Sequence, residues 1–253
     1  MIKNTFQILP SVGIGRERSM WGSGIRTWDD FLGTECVRGL SKTVKERSDS
    51  VLGEAYGHLG NHDSRSLGDM LPRREHWRLY EHFRDNVAFF DIETDGLERD
   101  STVTVVTVHR NDRTTTLVDG IDLDAESLAE AFGDPSVIVS FNGSCFDIPV
   151  LSYSFPCLDL SAPHFDLRFG CKKIGCAGGL KNVERQLGLG RSDDLKDIDG
   201  FEAVRLWKQW TRAHDRRSLE LLMEYNVADT VNLKTLADIT YGRLVREHAG
   251  FDP

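Results

Sequence analysis

Asp91 and Glu93 stand two apart at the end of the apolar run Val87–Ile92. If that run is a strand, residues two apart point to one face, so the two carboxylates project together while Ile92 turns into the core. Like charges held side by side repel unless a cation lies between them, and a hard divalent cation with oxygen ligands is the natural resident. The plain alternative is a strand end with solvated acids, followed by the turn Thr94-Asp95-Gly96-Leu97. Asp147 closes the stretch Asn142-Gly143-Ser144-Cys145-Phe146-Asp147, just before a short helix with Pro149 in its first turn. A carboxylate there is favoured by free amides and the helix dipole, so Asp147 can be a cap, a ligand or both. Tyr225 and Asp229 are four apart and share a face if the late segment is a helix; the plain reading is an ordinary surface pair.

The elements that must position these residues follow from pattern. Val87–Ile92, Val103–Val108 and Thr114–Val118 read as strands, the last two joined by a hairpin turn at Asn111-Asp112. Leu123–Phe132 reads as a helix. Val137–Phe141 reads as a short buried strand parallel to the first. Phe165-Asp166-Leu167 reads as an edge strand leading into Arg168–Ile174. Helices are expected over Leu180–Leu187, Phe201–Trp210 and from about Asp215 to Ile239. Lys181 and Arg185, four apart, form with Lys172, Lys173 and Arg191 the most basic patch of this acidic part, read as a phosphate contact or a solvated helix face.

Residues 1–86 read differently, as a helical N-terminal extension. Arg16–Trp21, Trp28–Leu32 (capped by Thr27), Ser41–His58 and Pro72–Arg84 are expected helices, with Gly60–Gly68 a polar loop. The turn Leu9-Pro10-Ser11-Val12-Gly13 between helical segments looks like a fragment of a helix-hairpin-helix, whose turn amides can hold a phosphate. The other reading is a packing cap on the next domain. His58, His62 and Asp63 read as solvated loop residues. Cys171 and Cys176 lack the two-residue spacing of zinc knuckles.

At 253 residues, with 40% hydrophobic and 28% charged residues, the chain has the composition of a soluble globular protein. No apolar run approaches the length of a membrane span, and residues 1–20 lack the apolar stretch of a secretory signal. Five scattered cysteines suggest free thiols in a reducing cytoplasm. The net charge of −9 opposes long-range attraction to nucleic acid. Residues 1–86 are near neutral, with 13 basic against 12 acidic residues, so the acid excess lies beyond. Cations held by site carboxylates would offset part of it. There is no Gly-rich nucleotide fingerprint, so no nucleotide cofactor is expected.

Read together, Asp91-Ile92-Glu93, Asn142-x3-Phe146-Asp147 and Tyr225-x3-Asp229 resemble the three motifs of the DEDD superfamily, the DnaQ-like, ribonuclease H-like 3′→5′ exonucleases. The tyrosine four before the last acid marks the DEDDy branch; the DEDDh branch has a histidine five before it, where this chain has Glu224. Trp28-Asp29-Asp30-Phe31 and Asp199-Gly200 make the layout look most like YprB-type ribonuclease H-like proteins. The resemblance implies an α/β fold: a mixed five-stranded sheet flanked by helices over residues 87–253, carrying the extension 1–86. It implies two Mg²⁺ or Mn²⁺ ions. Asp91 would bridge both, Glu93 and Asp229 would complete one site, Asp147 would reach the second, and Tyr225 would orient water. Thr94, Gly96 and Leu97 would form the floor for the 3′ nucleotide, Asn142 and Phe146 would line the cleft, and Lys181 and Arg185 would meet upstream phosphates. The expected substrate is a single-stranded 3′ end, DNA rather than RNA, cut to nucleoside 5′-monophosphates. A structure-selective endonuclease of the same fold and a non-catalytic nucleic-acid binding module are the rival readings.

Overall fold

The strand pattern read from Val87 onward forms one sheet in the computed structural model, which describes residues 1–96, 98, 100–190 and 200–248. Leu97, Arg191 and Asp199 lie outside the described residues. Four helices precede the sheet: α1 (Ile14–Gly22), α2 (Trp28–Leu32), α3 (Lys42–Gly60) and α4 (Ser64–Asp69). Then come β1 (Val87–Thr94), β2 (Val103–Arg110), β3 (Arg113–Val118), α5 (Ala125–Phe132), β4 (Val137–Ser140), α6 (Asp147–Ser154), β5 (His164–Asp166), α7 (Leu167–Lys173), α8 (Leu180–Leu187), α9 (Gly200–Ala213) and α10 (Arg216–Arg243). The sheet order is β3-β2-β1-β4-β5. β1, β2 and β3 pair antiparallel, while β4 and β5 continue parallel to β1. Asn111 and Asp112 both take positive φ (51° and 57°), the backbone that a tight two-residue hairpin needs. Among the described residues, no helix is long and apolar enough to cross a membrane.

The alternation of β1 divides the core. Ala88, Phe90 and Ile92 pack with Leu128 and Phe132 of α5 and Val150 and Leu151 of α6. Val87 and Phe89, on the other face, pack with Val137, Val139 and Leu233, Leu236 and Ala237 of α10. Each buried Val, Leu, Ile or Phe among these contributes about 1.5–3 kcal/mol. Asp91 and Glu93 share the parity of Val87 and Phe89, so the acids face α10. Beyond them Val105 and Val118 meet Ala203, Leu206 and Trp207 of α9 and Leu222 of α10.

The region before β1 departs from expectation in two places. Gly60–Gly68 is not a loop: α3 runs to Gly60, and Asp63 caps α4 by accepting from Ser66 N at 3.0 Å. Asp63 also pairs with His58 Nδ1 at 3.1 Å. Pro72–Arg84 is not an α-helix but two 3₁₀ segments, Arg73–Leu79 and Arg84–Asn86. Bonds of three-residue span, Glu75 N to Pro72 O (2.7 Å) and Tyr80 N to Trp77 O (3.2 Å), tighten the first. Glu75, Trp77, Arg78 and Leu79 are all buried, so no single face of an α-helix would have served.

Thr27 caps α2 with a reciprocal capping box through Asp30. Phe6, Trp28 and Phe31 are fully buried there, and Leu9 and Val12 dock the first turn onto the same cluster. That cluster is continuous with Val87, Phe89 and the inner face of α10. Charge crosses with it: Arg78 bonds Glu17 (2.9 Å) and Glu75 (2.8 Å), and Lys173 of α7 reaches Glu75 at 3.2 Å. Lys173 is therefore tied to the extension rather than to a phosphate patch. Tyr80 donates to Asp238 of α10 at 2.8 Å.

Candidate active site

β1 supplies the first two acids at its C-terminal end. Asp91 and Glu93 are half-buried between the buried Ile92 and Thr94. The β1–β2 register shifts between Glu93 and Thr94, a bulge-type irregularity of the kind that re-aims side chains at sheet ends. Beyond it the turn is held by its own bonds. Thr94 Oγ1 donates to Gly96 O at 2.5 Å, and Asp95 Oδ1 accepts from Thr102 N at 2.8 Å. Asp95 thus fastens the turn from its exposed position.

β4 ends at Ser140 and delivers the loop to Asp147. Asn142 takes a positive φ of 70°. Gly143 passes so close to Ser140 that a Cβ would lie 2.0 Å from its Oγ, so only glycine fits without displacing it. Asp166, at the end of β5, holds the loop from below. Its Oδ1 accepts from Asn142 N at 2.9 Å, and its Oδ2 accepts from Ser144 N at 3.1 Å and Ser144 Oγ at 2.5 Å. Asn142 Oδ1 accepts from Arg168 Nη1 at 2.5 Å, so the Asn142 side chain is occupied by α7. Phe146 is half-buried against the cluster beneath β1. Asp147 opens α6 and is buried.

α10 brings Tyr225 and Asp229 to the same face of β1, both buried. The Tyr225 phenol donates to Asp229. Lys181 of α8 lies over the Tyr225 ring, 5.1 Å from its centroid, while Arg185 is exposed one turn on. A cleft of about 410 Å³ opens beside Asp95 and Gly96, bordered by Phe201, Val204, Arg205 and Lys208 of α9.

Electrostatics register how these groups face one another. Burial and the charges of Asp229 and Asp147 push Glu93 well above the usual carboxylate range, with Asn226 and Lys181 opposing. Burial raises Asp147 to about 7, with a further push from Asp166 and a partial offset from backbone amides. Burial and then Asp229, Glu93 and Asp91 raise the Tyr225 phenol far above its ordinary value. Among the described residues, no three His, Cys, Asp or Glu side chains stand as a ready-made metal ligand set. The donor chemistry nonetheless fits hard cations: carboxylate oxygens only, crowded enough that positive charge between them would relieve the repulsion. Asp91, Glu93, Asp147 and Asp229 are the residues that could hold such ions.

Two residues of the site escaped the sequence reading. Asp166 was seen only as part of an edge strand, and its hold on the Asn142–Ser144 loop depends on β4 and β5 being neighbours. Asn226, fully buried next to Tyr225, donates from Nδ2 to Asp91 Oδ2 at 2.7 Å. A polar residue beside the Tyr225-x3-Asp229 pair was the one available signal.

A search of curated proteins returns no match to this chain. Among solved structures, the family B DNA polymerase from the hyperthermophilic archaeon Pyrobaculum calidifontis superposes with a TM-score of 0.51 at 21% identity, covering 64% of this chain and 25% of that one. At that identity the likeness speaks for the fold. A family model described as RNase_H superfamily matches residues 88–241, from the second residue of β1 to the last turns of α10. With that span, and with its mixed sheet order, this chain belongs to the RNase H superfamily.

Proposed function

We propose that this protein is a metal-dependent 3′→5′ exonuclease that shortens single-stranded nucleic acid, DNA in preference to RNA, and releases nucleoside 5′-monophosphates. The observation that carries the reading is the approach of three separate segments: Glu93 of β1 lies within electrostatic reach of Asp147 and Asp229, and Tyr225 within reach of Asp229, Glu93 and Asp91. Membership of a superfamily with an RNase H-like nuclease fold supports nucleic acid as the substrate class.

In this reading Asp91, Glu93, Asp147 and Asp229 hold two Mg²⁺ or Mn²⁺ ions, which supply Lewis acidity and an activated water. Tyr225 would orient a water through its hydroxyl; a free phenol titrates at about 10, so positioning and hydrogen bonding are its role rather than full deprotonation. Lys181, already beside Glu93 and Tyr225, meets a phosphate entering the site, and Arg185 meets one further upstream. The turn at Thr94 and Gly96 is the floor for the terminal nucleotide.

The test is stepwise shortening of 5′-labelled single-stranded DNA in Mg²⁺ or Mn²⁺, alongside duplex DNA, RNA and a circular strand. Asp91→Ala and Asp229→Ala abolish the ladder while the far-UV spectrum stays that of the wild type. Cleavage of the circle would replace the exonuclease with an endonuclease. Full activity in EDTA would remove the metals from the mechanism.

A further inference from the structure

Asn226 stands among the acids without being one. It has no exposed surface, its Nδ2 donates to Asp91 Oδ2 at 2.7 Å, and the Glu93 carboxylate lies near enough for the amide to oppose that group's upward shift. Its Oδ1 is buried with no hydrogen-bond partner among the described residues. A primary amide offers two N–H donors on one atom and an acceptor on the other. Facing two carboxylates, only the N–H edge is attracted, so charge dictates which way the amide points. The orphaned Oδ1 is the consequence, and it is unfavourable in a buried place. An apolar side chain of the same size would avoid it. A lysine there would bring a charge that competes with divalent cations for the same oxygens. An amide holds Asp91 and leaves the negative charge of the site intact.

The backbone beneath Asn226 is anchored as well. Its carbonyl accepts from Thr230 Oγ1 at 2.8 Å, inside the helix that also carries Tyr225 and Asp229. The amide therefore reports the position of α10 directly to β1.

We infer that Asn226 is a positioning residue: its amide N–H fixes the tilt of the Asp91 carboxylate beside Glu93 and leaves the remaining carboxylate oxygens to divalent cations. The inference rests on the metal-dependent reading given above.

Its test is Mn²⁺ binding to the full chain without nucleic acid, by calorimetry, with circular dichroism and thermal denaturation in EDTA as controls for the fold. Asn226→Leu keeps the branched shape and heavy-atom count and removes both donors together with the orphaned oxygen. It folds as the wild type does and binds Mn²⁺ at least about tenfold more weakly, the range for loss of a group that orients metal ligands. Its KM for a single strand is unchanged, and its kcat recovers as Mn²⁺ is raised. Asn226→Ser, which keeps one donor, falls between the two and carries the same comparison if the leucine variant does not fold. A folded variant that binds Mn²⁺ as tightly as the wild type overturns the inference and leaves the metal reading standing. A wild type that takes up no Mn²⁺ overturns the metal reading itself, and the inference with it.

Discussion

Glu93 and Asp147 are held in a state that costs the fold stability. Each is pushed upward by burial and by neighbouring carboxylates. Removing one charge should relieve the rest, so Glu93→Gln abolishes cleavage yet raises the melting temperature in EDTA, by about 2–4 °C for each kcal/mol relieved. Asp147 gives this a pH signature. Its folded value of about 7 lies above the ordinary 3.8, so between those values the native state binds the proton and the unfolded chain does not. Without metal, the stability Asp147 contributes is lost as pH rises toward and through about 7. Asp147→Asn flattens that slope in melts run from pH 5 to 8. A slope left unchanged in Asp147→Asn would refute the burial argument. At this scale the site was well marked in the sequence, because acids two apart on an apolar run and a Tyr–Asp pair four apart are short-range patterns. Asn226 and Asp166 were not, since each acts across space on a segment far away in the chain.

Between residues and molecule stand the elements, and the loop from β4 to α6 shows how they depend on one another. Asp166 of β5 offers both carboxylate oxygens to that loop. Asp166→Asn retains one acceptor atom and puts a donor against Ser144 N. A loss of about 1–3 kcal/mol is expected from the unsatisfied bonds, read by chemical denaturation, with slower cleavage as Asp147 loses its support. Unchanged activity would show that the loop holds itself. The strands were legible because Val103–Val108 and Val137–Phe141 are β-branched or apolar runs between turn residues. The stretch from Pro72 was misread as an α-helix because its burial comes from two sides. Nothing in its local pattern distinguishes that from an amphipathic helix. The helix at Ser64–Asp69 was missed because its polar residues hide an Asp63 cap that only the structure exhibits.

Across the whole molecule, residues 1–86 and the sheet share one apolar cluster and one buried ionic group. Arg78 is fully buried between Glu17 and Glu75. Arg78→Ala leaves Glu17 without that counter-charge in the interior and Glu75 to rely on Lys173, and should cost about 3–5 kcal/mol. If the extension and the sheet form one cooperative unit, tryptophan fluorescence in a chain with Trp207 and Trp210 replaced by Phe, which reports the extension alone, melts together with the far-UV ellipticity of the whole chain, and both shift in the variant. Two separate transitions would show that the extension folds alone.

α10 joins these scales. Its 28 residues extend roughly 42 Å. Tyr225, Asn226 and Asp229 sit in its first half, and Asp238, gripped by Tyr80 and Arg84, in its second. A helix transmits rotation along its axis far better than it absorbs it. The angular setting of the reactive groups is thus fixed partly by a handhold in a segment that touches none of them. A proteolytic cut between Tyr80 and Val87 would separate that handhold from the sheet without severing any residue of the site. Such a nicked chain would be expected to keep its secondary structure and lose turnover, inactivated at a distance.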